Sequence, residues 1–233
     1  MGAAPHGLTA LTAEITACRR CSRLVRCREA AAEAPPRRFV GATYWARPVP
    51  GFGDPAARLL VVGLAPAAHG GNRTGRVFTG DRSGDWLYAA LHRAGFANQA
   101  SSRARDDGLV LSGAYVSCVV RCAPPGNKPT PPERDRCIGY LVRELAQLRR
   151  VRAIVALGGF AWDGVLAAAN ELGHPIPRPR PKFGHGAELG LGPWRVVASY
   201  HVSQQNTFTG RLTEPMLDGV FARARAACDV SSA

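Results

Sequence analysis

Four short apolar runs limit what this chain can fold into more than any other feature. They are Arg58–Val62, Ala114–Val120, Ala153–Leu157 and Trp194–Tyr200. Each is nearly continuous in apolar residues and lacks the alternation of a strand with one wet face, so each reads as a strand buried on both sides. Helical patterns separate them. Trp86–Ala94 follows the first strand. A helix begun by Thr130-Pro131-Pro132-Glu133, a capping box with proline at the first helical position, carries Cys137, Leu141, Val142, Leu145 and Leu148 on one face. Phe160–Leu172 follows the third strand. Thr213 caps a last helix with Met216, Val220, Phe221 and Ala224 inward. Strand and helix in strict alternation predict an α/β fold: a three-layer α/β/α sandwich around a central, mostly parallel four-stranded sheet. The 233 residues read as one domain spanning the chain, with Met1–Gly7 disordered.

In such a sheet the loops after the strands gather along one edge, where open α/β folds place their ligands. These loops are Gly63–Gly84, Arg121–Pro129, Gly158–Gly159 and His201–Arg211. The first holds six glycines together with His69, Arg73, Arg76, Phe78 and Asp81. Long irregular loops in compact domains are usually functional, and glycine lets backbone approach a ligand closely. Gly70-x4-Gly75 echoes a phosphate loop, but Arg76 and Val77 stand where lysine and Ser/Thr are required. A Walker site is therefore excluded. Tyr44–Pro55 is too rich in aromatics for a linker and reads as an ordered loop.

Lys+Arg number 30 against 17 Asp+Glu, a formal net charge of +13, and all but Lys128 and Lys182 are arginine. That balance implies a polyanionic partner, most simply nucleic acid, since the guanidinium fork matches phosphate. No apolar run is long enough to span a membrane and no leader pattern is present, so a cytoplasmic location is expected. Seven cysteines, an odd number, argue against a disulfide framework. Cys18-x2-Cys21 places two sulfurs on one side of a turn. Cys122, just after a strand, and Cys137, two turns into the next helix, are joined by a stiff Pro-rich segment. Four such thiolates suit a 4Fe–4S cluster or a tetrahedral zinc, and spacing does not choose between them. Cys118, in mid-strand, and Cys228 read as core packing. Cys27 falls outside the spacing.

Gly63-Leu64-Ala65-Pro66-Ala67, then Gly75-Arg76-Val77-Phe78-Thr79-Gly80-Asp81, then Tyr200-His201-Val202-Ser203 through Asn206, resemble the motifs of the uracil-DNA glycosylase superfamily. The closest resemblance is to its iron–sulfur branch, family 5 or type b. It runs from about Cys18 to Thr213, with the motifs in order, and includes Pro124-Pro125-x-Asn127-Lys128-Pro129.

The resemblance implies a monomeric bacterial DNA-repair enzyme that removes uracil, and other deaminated or damaged bases, by hydrolysing the N-glycosidic bond. It places Cys18, Cys21, Cys122 and Cys137 at the positions of 4Fe–4S ligands, ahead of zinc. Gly63, Ala65, Pro66 and Ala67 become the floor of a base pocket. Phe78 becomes the stacking wall for a flipped base. His201 can donate a hydrogen bond to the base oxygen on which negative charge grows. Several branches carry a polar, water-positioning residue where this chain has Ala67. Alanine cannot hold water, so the role passes to Asp81, with Asn127 as a further catalytic group and Asp85 as a rival. An N-cap is the other reading of Asp81. Asp85 is expected at the head of the helix. Arg76, Asn206 and Arg211 are expected on DNA, and His185 is given no catalytic part. The alternative is a non-catalytic, metal-stapled nucleic-acid-binding protein, which leaves the glycine loop and His201 without a purpose.

Overall fold

The structure, a computed structural model, describes residues 7–229. Two helices come first, α1 (Leu8–Ala17) and α2 (Ser22–Glu33), then a single 3-10 turn at Arg37–Phe39. There follow β1 (Phe52–Gly53), β2 (Leu59–Gly63), α3 (Gly71–Thr74), α4 (Arg82–Arg93) and β3 (Ala114–Cys118). The second half holds α5 (Pro131–Gln147), β4 (Ala153–Leu157), α6 (Gly159–Glu171), β5 (Glu188–Leu191), β6 (Trp194–Ser199), α7 (Gln204–Phe208) and α8 (Glu214–Asp229).

The sheet order is β1-β3-β2-β4-β6-β5. The four expected strands form its parallel centre, with Val61 beside Val116 and Val155, and Val155 beside Val197. All residues of β2, β3 and β4 are buried, as their unbroken apolar runs require. Successive side chains alternate between faces. Leu59, Val61, Val116, Val155 and Val197 face a core closed by Leu87 and Leu91 of α4 and Val220 and Phe221 of α8. Leu60, Val62, Ile154, Val196 and Ala198 face the opposite core, closed by Leu141 and Leu145 of α5 and Trp162 and Val165 of α6. The three-layer sandwich is therefore present.

The strand count is corrected from four to six. The two added strands are antiparallel edges. β1 is two residues inside a Pro/Gly loop; Gly53 there has φ 141 and lies against the Ala114 carbonyl with no space for a Cβ. β5 is half exposed, and its apolar content is too low to stand out. α2 is a second correction, since the sequence reads as a basic stretch and then a connection over Ala30–Arg38. Its inward face is only Leu24, Val25 and the aliphatic stem of a buried arginine, Arg28, so the 3.6-residue period is hidden. The third concerns α4, which starts four residues before Trp86, with Asp81 as N-cap and Asp85 inside the first turn.

The Thr130/Glu133 capping box forms as expected, with Glu133 Oε2 accepting from Thr130 N at 2.8 Å. Thr213 Oγ1 accepts from Met216 N at 3.4 Å. Cys118 and Cys228 are core residues, 1% and 2% exposed. No helix among the described residues is long and apolar enough to cross a membrane. The disorder expected for Met1–Gly7 falls, apart from Gly7, outside the described residues.

Candidate functional site

The carboxyl ends of β2, β4 and β6 deliver the expected residues to one edge. Gly63 ends β2, and the ring of Phe78 lies across it with no space for a Cβ between them. Any side chain at position 63 would displace the ring. Phe78 is 7% exposed and adopts φ 49, a left-handed conformation that costs a non-glycine residue on the order of 1–3 kcal/mol. Its ring centre is 6.1 Å from that of His201 at an interplanar angle of 36°. Beside them is a pocket lined by Leu64, Gly158, Phe183, Tyr200, His201, Asn206 and Arg211, among others. Pro66 is buried against Gly71, while Ala65 and Ala67 are half-buried. The Ala67 carbonyl accepts from Asn72 N at 3.0 Å and starts the turn into α3.

His201 follows β6. Burial lowers its pKa from 6.5 to about 4, so the imidazole is neutral at physiological pH and carries one N–H donor. Asn206 holds its backbone, Nδ2 donating to the His201 carbonyl at 2.8 Å. Ser203 caps α7 by accepting from Asn206 N at 3.4 Å. Arg211 is exposed, its guanidinium 4.6 Å from the centre of the Tyr200 ring. His185 Nδ1 accepts from Tyr200 N at 3.2 Å, so this histidine anchors the strand end.

Asp81 performs the N-cap role. Its Oδ1 accepts from Gly84 N at 3.0 Å, and its Oδ2 packs against Gly70, where a Cβ has no room. Burial raises its pKa; the Gly84 and Ser83 amides oppose the rise, Asp85 adds to it and Arg73 opposes it. A cap and a reacting carboxylate are not exclusive. The amides at the helix N-terminus favour the ionised form, while burial strips it of water and makes it a stronger base. Asp85 is exposed.

Arg76, expected on DNA, is instead 3% exposed, and every donor group of its guanidinium points inward. It donates to both Asp107 oxygens at 2.8 Å, to Ser102 Oγ at 2.8 Å, to Thr79 Oγ1 at 3.0 Å and to the Arg105 carbonyl at 3.1 Å. Thr79 Oγ1 and Tyr88 OH both donate to the Val77 carbonyl. The backbone on both sides of Phe78 is thus tied down, which is what a strained φ requires. No pattern in Asn98–Gly108 marked Ser102 or Asp107 as part of this network. Asn127 lies outside the His201 pocket. It is exposed, with φ 56, at the end of a one-turn 3-10 helix.

A second cluster forms where α1, α2, the end of β3 and α5 meet. Cys18, Cys21, Cys122 and Cys137 line one cleft with Leu24, Pro48 and Tyr140. N–H donors surround the sulfurs. Arg28 Nη1 reaches Cys122 Sγ at 3.1 Å, Arg121 N reaches Cys137 Sγ at 3.4 Å, and Arg20 Nε reaches Cys18 Sγ at 3.5 Å. Arg28 is 2% exposed, and its Nε has no hydrogen-bond partner. Among the described residues, no three His, Cys, Asp or Glu side chains are drawn together around a single metal ion. Cys27 lies apart from the cleft, near Arg23 and Glu133.

A family model described as the uracil DNA glycosylase superfamily matches residues 50–225. A type-5 uracil-DNA glycosylase of Mycobacterium tuberculosis is 54% identical over 218 residues, covering 92% of this chain and 80% of the relative. A type-5 uracil-DNA glycosylase of Thermus thermophilus is 51% identical over 214 residues, covering 91% and 94%. A type-4 uracil-DNA glycosylase of Archaeoglobus fulgidus is 36% identical over 154 residues, covering 66% and 69%.

Proposed function

The chain belongs to the uracil-DNA glycosylase superfamily, and from that premise we propose that it hydrolyses the N-glycosidic bond of uracil and other deaminated bases in DNA. The observation that carries the reading is the pairing of Phe78 and His201 across the β2 and β6 strand ends. A base turned out of the duplex can slide against the Phe78 ring, over the floor made by Gly63 to Ala67. As the bond to the sugar lengthens, electrons move onto the base and the sugar becomes oxocarbenium-like. The neutral His201 N–H stabilises the base oxygen that gains charge. It does so with no imidazolium to neutralise or desolvate. The Asp81 carboxylate stabilises the sugar cation and accepts a proton from the attacking water. Ala67 contributes only shape. Asn206 fixes His201, and Arg211 meets the backbone. Asn127 is exposed in the free protein, so contact with base or water requires its loop to close on bound DNA.

Cys18, Cys21, Cys122 and Cys137 would hold a 4Fe–4S cluster. The reading is supported by the four sulfurs lining one cleft, with Arg28 Nη1 and Arg121 N reaching Cys122 and Cys137, and its preference over zinc comes from the resemblance to the iron–sulfur branch. When bound, the cluster would tie together the ends of α1, α2, β3 and α5, which already meet through Leu11 and Ile15 on Tyr140 and through Arg23 with Glu133, a structural role. Arg28 supplies buried positive charge beside the anionic thiolates.

The test is a panel of oligonucleotides carrying uracil, hypoxanthine or xanthine, scored for alkali-labile abasic sites. Uracil is expected to be released. Asp81→Ala should lose about a hundredfold or more of the single-turnover rate while still binding DNA. No release across the panel overturns the enzyme reading, and an unchanged Asp81→Ala rate moves the carboxylate role elsewhere.

A further inference from the structure

Arg76 is buried, but three residues earlier the same loop carries Arg73, which sits quite differently. The 3-10 turn at Arg37–Phe39 brings the Phe39 ring against α3. The Arg73 guanidinium lies 4.3 Å from the ring centre and that of Arg38 lies 4.8 Å away. The His69 ring is 6.2 Å from Phe39, and Tyr44 OH is 2.9 Å from His69 Nδ1. With Nδ1 accepting the tyrosine proton, Nε2–H is left as a donor. Backbone bonds lock the two sides together: Trp45 N donates to Arg73 O at 2.9 Å and Ala46 N to Asn72 O at 3.0 Å.

Two guanidiniums stacked on one ring repel each other. Neither forms an ion pair with a carboxylate among the described residues. Arg73 spends Nε on the His69 carbonyl at 2.9 Å and one Nη on the Gly80 carbonyl at 3.1 Å. Its other Nη and the whole Arg38 fork remain available. Burial, with Arg38 and Arg73 beside it, lowers the His69 pKa, so the ring adds a neutral donor to a positive field. Converging donors and two cations with no carboxylate in ion-pair contact, Asp81 acting on Arg73 only at longer range, are the complement of a singly charged, multi-oxygen anion. The ledge also adjoins the proposed reaction centre: Gly70, next to His69, packs on Asp81.

We propose that Arg38, Arg73 and His69 form a binding site for one backbone phosphodiester of the DNA strand that carries the target base. The inference rests on the DNA-glycosylase reading and adds to it a fixed register point beside Asp81. Phe39 and Tyr44 orient the donors and touch no DNA themselves.

The test uses the full chain with Arg38→Gln, because Arg38 makes no hydrogen bond that the fold depends on. Binding to a duplex containing a tetrahydrofuran abasic site is followed by fluorescence anisotropy across a salt series. Affinity should fall about tenfold, and the slope of log Kd against log salt should become shallower by about 1. A scan of single methylphosphonate substitutions along the strand should find one position that weakens the native protein but not Arg38→Gln. An unchanged slope, or identical scans for the two proteins, overturns the site. These readouts do not need turnover. If no base is released from any oligonucleotide yet the scans differ at one phosphate, the phosphate site stands and the enzyme reading falls. If uracil is released and the scans coincide, the reverse holds.

Discussion

Asp107→Asn probes the buried network that holds Phe78. Asp107 accepts from Arg76 and from the Arg103, Ala104 and Leu109 amides. Burial would raise its pKa, but these donors outweigh it and bring the value from 3.8 to about 2. A carboxylate held below its unfolded pKa adds stability that is present above 3.8 and lost as the pH falls toward 2. A shift of nearly two pH units corresponds to about 2.5 kcal/mol at neutral pH. Asparagine keeps the shape but removes the charge, leaving the Arg76 guanidinium, 3% exposed, without its counter-ion. Breaking a buried pair from one side costs about 3–5 kcal/mol, so the two routes agree on roughly 3 kcal/mol. For a chain of this length that lowers the melting temperature by about 6–12 °C. Urea unfolding at neutral pH should show the loss, and repeating it near pH 3 should shrink the gap between native and variant. Single-turnover base release should fall as well, because Val77 and Thr79 no longer hold Phe78 in its left-handed conformation. A loss below 1 kcal/mol, or a gap that does not change with pH, would refute the network's role.

The rate–pH profile follows from two further shifts. Asp81 must be ionised and its pKa lies above 3.8, while His201 stays neutral down to about 4. Single-turnover rates should therefore show an acid limb that belongs to Asp81 and is unmoved by His201→Gln; a limb near 6.5 that vanishes in His201→Gln would count against the neutral-donor assignment. Cys122→Ser removes the sulfur that faces Arg28, and burial holds that thiol's pKa up to about 12, so loading must displace its proton. With the proposed cluster bound, iron content and visible absorbance should drop in the variant and thermal stability with them, because metal binding couples to folding; full iron content in the variant would exclude Cys122 as a ligand.

The parallel centre of the sheet was readable because burial on both faces leaves no room for polar residues, and that constraint is written locally in each strand. The same holds for the Thr130/Glu133 cap, a four-residue pattern. Phe78 and His201 were readable as motifs, and β2 and β6 bring them together. Other features depend on partners distant in the chain. Arg76 in its loop looks like any DNA-facing arginine. Only the approach of Ser102 and Asp107, more than twenty residues later, removes it from solvent. Arg73, with the same charge and the same glycine-rich surroundings, stays at the surface because Phe39 from the preceding segment supports it there.

Asp81 shows the division most clearly. Its residue type allows a cap or a reacting carboxylate, and nothing local separates the two. The fold starts α4 one residue after it and seats Gly70 against its free oxygen, so the cap and a desolvated carboxylate occur in one side chain. Sequence by itself determined which strands could be central and which side chains could carry chemistry. Tertiary structure decided which arginines keep their charge for solvent and which spend it inside. Burial and counter-charge are sums over the whole chain, and no window of neighbouring residues contains them.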